Sequence, residues 1–158
     1  AMHAFMQHCD HTNAKQDLDA EISRLVDLNY ISQLQADNLD KQKLNTFFTS
    51  KIASRMFNAD KLYREIKTAS FVPVCQLEDT DFTDDVLIQG ILDCVFVENG
   101  QAVVVDYKTD KVNNETELLE RYEKQLEFYK YSISKTLNLP VKETILYSFY
   151  LDKACSYK

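Results

Sequence analysis

Glycine is nearly missing from this 158-residue chain, which has only Gly90 and Gly100. A phosphate-cradling GxxxxGK[ST] loop therefore cannot be built, and any ATPase motor must lie outside these residues. The four cysteines, Cys9, Cys75, Cys94 and Cys155, are scattered without a CxxC pair. That spacing indicates neither a disulfide framework nor a zinc or iron–sulfur site, and reduced thiols are the expectation. Long apolar runs are lacking too. Stretches such as Ala102 to Val105 fall far short of the roughly 20 residues needed to span a bilayer. No basic segment precedes an apolar one, so a soluble, cytoplasmic protein with no membrane partner is expected. Basic residues are outnumbered, 18 Lys and Arg against 25 Asp and Glu, for a net charge of −7. Phosphate contacts need a local surplus of positive charge, so a nucleic-acid substrate would have to be delivered by something else.

Hydrophobic residues make up 45% of the chain, enough for a core at this length. With no repeat and no Pro/Gly/Ser-rich linker, residues 1–158 read as one domain. The hydrophobic period changes near Asp60, dividing a helical part (1–60) from a sheet with one helix (61–158). In the first part, Leu18, Ile22, Leu25, Val26 and Leu28 mark one amphipathic stripe, and Leu44, Phe47, Phe48, Ile52 and Met56 mark another. In the second, Tyr63 to Val74, Val86 to Val97, Ala102 to Lys108 and Glu143 to Leu151 are rich in Val, Ile, Phe and Tyr and predict strands. A long helix interrupts them. Asn114 and Glu117 form a capping-box pattern, Leu118, Tyr122, Leu126, Tyr129, Ile133 and Leu137 recur at helical spacing, and Pro140 ends it. The five acids between Glu78 and Asp85 read as a solvated loop. The expected fold is α/β, a mixed sheet flanked by helices.

Asn99-Gly100 separates two apolar segments, the strongest short signal for a two-residue type I′ turn. If Glu98 pairs with Gln101, paired residue numbers sum to 199 and Asp93 falls opposite Asp106. Their Cβ atoms would then lie roughly 5 Å apart, and like charges so placed destabilise a sheet. Strict alternation also sets Ile91, Val95 and Val97 beside Asp93, with Leu92 and Phe96 on the other face. Acids on a face suited to burial are costly unless paired or bound to a metal. A hard divalent cation such as Mg²⁺ or Mn²⁺ would relieve the repulsion. Lys108, two residues after Asp106, shares its face. The bland alternative is a set of solvent-facing charges with Lys108 as a neutralising neighbour.

Gln89-Gly90-Ile91-Leu92-Asp93, followed by Val104-Val105-Asp106-Tyr107-Lys108-Thr109-Asp110, resembles the QGxxD…DYKTD signature of RecB-family nucleases, AddA-type subunits in particular. Further matches follow the family's order. His3 is similar to the histidine of its N-terminal helix, Arg64-Glu65 to its RE motif, and Gln125 with Tyr129 to its QxxxY motif. Two departures stand out. Ile-Lys-Thr-Ala-Ser-Phe follows Glu65 where the family has the shorter RExPF, and the glycine expected upstream of His3 is not among these residues.

The resemblance implies a PD-(D/E)XK, restriction-endonuclease-like nuclease domain cut from a larger helicase–nuclease that processes broken DNA ends. It implies Mg²⁺ or Mn²⁺ held by His3, Asp93, Asp106 and the Tyr107 carbonyl. The implied catalytic group is Asp93, Asp106, Lys108, Gln125 and Glu65, with Gln125 and Tyr129 contacting DNA. Lys108 could stabilise charge on the transition state, or position and deprotonate water. The implied partners are single-stranded DNA fed by helicase domains of the same chain, and a partner of the AddB type. A different class of reading is a DNA-guiding or scaffold module that keeps the fold without the chemistry. Asp93, Asp106 and Lys108 together favour the enzyme. For Tyr129, a plain core role weighs about equally with a functional one. His8-Cys9-Asp10-His11 offers possible metal donors but lacks a partner cluster and reads as surface. The iron–sulfur nucleases of the AddB and Cas4 type need a cysteine group near the C-terminus, where only Cys155 stands.

Overall fold

A computed structural model describes residues 1–76, 81 and 84–157. Six short helices come first: α1 (Met2–His8), α2 (His11–Gln16), α3 (Leu18–Asp27), α4 (Gln33–Asp37), α5 (Lys41–Phe48) and α6 (Lys51–Phe57). Five of them start on a side-chain cap, from Asp10, Asp17, Ser32, Asp40 and Ser50 in turn, each accepting a backbone N–H that the first turn would leave unpaired. The strands are β1 (Lys61–Pro73), β2 (Asp85–Glu98), β3 (Gln101–Lys108), β4 (Val141–Ser148) and β5 (Lys153–Tyr157), with α7 (Glu115–Leu137) between β3 and β4. They form one sheet in the order β1-β2-β3-β4-β5. Only β3 and β4 run parallel, because the α7 crossover returns the chain to the same end of the sheet.

Both faces of the sheet are covered. Phe5, Leu25, Phe47, Phe48 and Met56 of the short helices pack on Phe96, Val103, Val105 and Tyr147. On the other face, Tyr129 and Ile133 of α7 pack on Leu92, Val95, Ala102 and Val104, and Leu118 and Leu126 pack on Leu146 and Cys155. This explains why β3 reads as an unbroken apolar run, since a strand buried on both sides has no polar face.

The expected α/β fold with a mixed sheet is the one observed. Asn99 and Gly100 have φ of 51° and 74°, as a type I′ turn requires, and β2 pairs with β3 from Glu98↔Gln101 to Cys94↔Val105. Four details differ. The segment expected as one strand from Glu143 to Leu151 ends at Ser148, and the tight turn after it leads into β5, which its short length hid from the sequence pattern. Asn138, left-handed at φ 52°, ends α7 two residues before Pro140. Leu28, placed on the apolar stripe of α3, is exposed. Cys9 and His11, expected at the surface, are buried. His11 lies against the rings of Phe48 and Phe57, where burial and then Arg64 push its pKa down to about 4. The acidic run from Glu78 to Asp85 lies largely outside the described residues. Among those described, no helix is long and apolar enough to cross a membrane.

Candidate active site

The β2–β3 ladder stops at Cys94↔Val105. Beyond it, β2 pairs only with β1, and Asp106, Tyr107 and Lys108 of β3 pair only with β4. Asp93 and Asp106 are thus the next positions of the expected register but are not ladder partners. Asp93 instead accepts the Tyr107 backbone N–H on its Oδ2 at 2.8 Å, so a carboxylate replaces a main-chain carbonyl where the strands part.

The neighbouring ladder breaks at the same level. β1 and β2 pair on both sides of Glu65 and Asp93, but these two residues do not pair with each other, and Glu65 has φ of 50°. Tyr63 and Ile66 both pack on the α7 face, as do Val95 and Leu92. Residues three apart on a regular strand face opposite ways, so each strand turns over once at this level. The strict alternation read around Asp93 therefore fails, and Ile91 is half exposed.

Five elements bring the expected residues to this opening. His3 of α1 places Nε2 2.6 Å from the Tyr107 carbonyl oxygen and 3.8 Å from Asp93. Arg64 holds the end of that helix, donating to the Cys9 carbonyl at 2.6 Å and the Gln7 carbonyl at 3.2 Å. From β3, the Lys108 ammonium lies 2.7 Å from Asp106 and donates to Gln125 Oε1 at 3.0 Å. Gln125 in turn donates to the Tyr129 hydroxyl at 2.9 Å, and that hydroxyl reaches the Ile91 carbonyl at 3.4 Å. Tyr107 contributes its backbone. Its phenol lies in the opposite core beside Phe47 and Phe149, anchoring the strand that offers the carbonyl.

The electrostatics mark Asp93. Burial, reinforced by Asp106 and by Glu65, raises its pKa to about 6 against the opposing Tyr107 N–H and His3. Among the described residues Glu65 has no hydrogen bond or ion pair of its own and acts on Asp93 through charge alone. Tyr129 is raised, first by burial and then by Asp106 and Asp93, so its hydroxyl stays protonated.

Asp106 is 4% exposed, and its Oδ2 has no hydrogen bond among the described residues although Lys108 is within ion-pair distance. The lysine supplies charge there without an aligned N–H. A buried carboxylate oxygen with no donor is costly, and a hard cation satisfies it. The surrounding donors, a second carboxylate, an imidazole and a backbone carbonyl, suit such an ion. Of these, His3 touches the Tyr107 carbonyl and lies 3.8 Å from Asp93. Among the described residues, no three His, Cys, Asp or Glu side chains converge tightly enough to form a metal cluster as placed.

The sequence reading missed Tyr122, which it assigned to the core stripe of α7. Its ring lies under the Lys108 ammonium, 3.9 Å from centroid to Nζ. The signal was its position one turn before Gln125 on the same helix face.

A family model for the PD-(D/E)XK nuclease superfamily matches residues 1–155. Among curated relatives, an ATP-dependent helicase/nuclease subunit of the AddA type from Clostridium botulinum (strain 657 / Type Ba4) is 34% identical over 158 residues, covering 96% of this chain. Its counterpart from Ruminiclostridium cellulolyticum, another ATP-dependent helicase/nuclease subunit, is 33% identical over 156 residues, covering 94%. The chain spans only 12% of the length of either relative. With sequence, fold and site order in agreement, the chain belongs to the PD-(D/E)XK nuclease superfamily and is similar to the AddA-type helicase/nuclease subunits.

Proposed function

We propose that residues 1–158 form the nuclease domain of a longer AddA-type polypeptide and hydrolyse DNA phosphodiester bonds with Mg²⁺ or Mn²⁺. The observation that carries this reading is the pair of neighbouring carboxyls, Asp106 buried with no aligned donor on its Oδ2 among the described residues and only the Lys108 charge 2.7 Å away, and Asp93 resisting ionisation beside it. Asp93, Asp106, His3 and the Tyr107 carbonyl would hold the cation. When bound, such an ion polarises a phosphate oxygen and makes a water more acidic. Lys108 places a positive charge next to the carboxylates, where negative charge develops on the phosphate. Gln125 steers both the Lys108 ammonium and the Tyr129 hydroxyl, and the protonated hydroxyl is available as a donor to a phosphate oxygen. Glu65 adds negative charge beside Asp93 and belongs to the catalytic group.

The net charge of −7 supports a substrate captured by other parts of the protein. Single-stranded DNA fed by helicase domains of the same polypeptide, with an AddB-type partner, meets that need through high effective concentration. The setting would be cytoplasmic processing of double-strand-break ends for recombinational repair.

Calorimetry with Mn²⁺ tests the site. The parent protein should bind, and an Asp93→Ala, Asp106→Ala double variant should lose the binding. A companion assay follows cleavage of labelled single-stranded DNA at low salt. Equal Mn²⁺ affinity in parent and double variant would remove the site, while binding without cleavage would leave the DNA-guiding module as the function.

A further inference from the structure

We propose that Tyr122 is a positioning residue for Lys108, and that Asp110 holds Tyr122 in place. The inference rests on the reading of Lys108 given above and adds the device that aims it. The Lys108 side chain is 13% exposed, and its ammonium has three neighbours. Asp106 lies 2.7 Å away as a charge partner without an aligned N–H, Gln125 Oε1 accepts a hydrogen bond at 3.0 Å, and the ring of Tyr122 lies 3.9 Å away at its centroid. That separation is well inside the range in which a ring face attracts a cation.

The division of labour follows from what Asp106 must do. A carboxylate that engages a metal ion has less charge to spare for a neighbouring ammonium, so its hold on Lys108 weakens when the site is loaded. Gln125 and Tyr122 then remain. The ring holds the cation without taking up an N–H in a strong hydrogen bond, which leaves that N–H available to a phosphate oxygen. Ring orientation therefore matters, and it is fixed at the far end, where the Tyr122 hydroxyl donates to Asp110 Oδ1 at 2.9 Å. Asp110 is steadied in turn by Arg121, 3.7 Å away. Tyr122, Gln125 and Tyr129 lie along one face of α7, so one helix sets all three groups around Lys108.

The test is made in the intact polypeptide, with single-turnover cleavage of labelled single-stranded DNA in Mn²⁺. Tyr122→Leu should lower the rate at saturating DNA about tenfold with unchanged KM and unchanged Mn²⁺ affinity. Tyr122→Phe, which keeps the ring, should recover most of that loss. In a Lys108→Ala background, Tyr122→Leu should have no further effect, because the ring would have nothing left to aim. A readout apart from activity is labelling of Lys108 by an amine-reactive ester in metal-free protein, followed by peptide mass spectrometry. Tyr122→Leu should raise it several-fold over the other lysines. If that variant fails to fold, Asp110→Ala at a partly exposed position gives the same test, with a smaller loss that also disappears without Lys108. A Tyr122→Leu rate within twofold of the parent, or a loss that persists undiminished in the Lys108→Ala background, overturns the inference. Failure of the parent to bind Mn²⁺ refutes the site itself, so the two failures are distinguishable.

Discussion

Replacing Asp93 by Asn should make the metal-free protein more stable at neutral pH while abolishing its affinity for Mg²⁺ or Mn²⁺. The Asp93 carboxyl titrates near 6 instead of 3.8 because burial, Asp106 and Glu65 oppose its charge. A folded-state pKa raised above the unfolded value means that this group favours folding below about pH 4. That contribution is lost as pH rises through about 6. From 3.8 to about 6, the cost of the ionised form at neutral pH is at most about 3 kcal/mol. Asn keeps an oxygen to accept the Tyr107 N–H, now held at 2.8 Å, so the substitution removes charge without orphaning the donor. The assay is thermal unfolding in a chelator at pH 5 and pH 8. For a domain of this length each kcal/mol moves Tm by roughly 2–4 °C, so the parent should lose several degrees between those values and Asp93→Asn should lose much less. Added Mn²⁺ should restore the parent at pH 8 and leave the variant unmoved. If parent and variant show the same pH dependence, the account of Asp93 as a strained, metal-awaiting carboxylate is wrong.

Lys108→Ala should keep the fold and Mn²⁺ binding while cutting cleavage by about 10²-fold or more, read in a single-turnover assay; a rate equal to the parent's would remove Lys108 from the chemistry. Arg55 pairs with Glu98 and Glu143, and Arg55 followed by Lys142 lowers the Glu98 pKa to about 2. That stabilisation is present above about pH 4.5 and is lost as pH falls through 2, so Arg55→Ala should cost on the order of 1 kcal/mol at pH 7 and progressively less in acid, as denaturant titration at both pH values would show. A Cβ on Gly90 would lie 3.1 Å from Phe128 Cε1, whereas at Gly100 nothing lies within 4 Å and only φ of +74° opposes a side chain. Both Ala variants should lose roughly 1–2 kcal/mol of stability, one by overpacking and one by backbone strain, but only Gly90→Ala should slow cleavage, because only it displaces the helix that carries Gln125 and Tyr129.

Much of the architecture was legible because it depends on short-range signals. Asn99-Gly100 fixed the turn, the turn fixed the register, and the register ran five pairs as expected, from Glu98↔Gln101 to Cys94↔Val105. The stripe from Leu44 to Met56 is buried as its spacing implied. What could not be read is what depends on departure from regularity. A period-two pattern cannot reveal that Glu65 and Asp93 drop out of pairing together, since the numbering on either side of them is unchanged. Tyr122 was hidden for a related reason. An aromatic residue at helical spacing looks like core, and only the position of Lys108 on the facing strand shows the second use of its ring.

The location of the opening follows from these departures. If β1, β2 and β3 had continued as regular strands, the Tyr107 N–H would bond to main chain and Asp93 would stand beside Asp106 as an ordinary cross-strand pair. Instead Glu65 takes a left-handed backbone, which costs a residue other than glycine about 1–2 kcal/mol, and two ladder positions are given up. Asp93 becomes a partly buried carboxyl that resists ionisation, and Asp106 keeps an oxygen with no aligned donor among the described residues beside the Lys108 charge. These costs fall on three neighbouring strands at one level, although unpartnered buried polar atoms also occur elsewhere, on His11, Thr144 and Tyr147, and the β3–β4 ladder shifts register between Ala102 and Val103. What distinguishes this level is its company: His3 reaches Asp93 and the Tyr107 carbonyl, and Lys108 reaches Asp106 and Gln125. A sequence shaped by stability alone would continue the ladder. Strain at this level is what the proposed function would require: a cation held by His3, Asp93, Asp106 and the Tyr107 carbonyl would offset the repulsion between the two carboxylates.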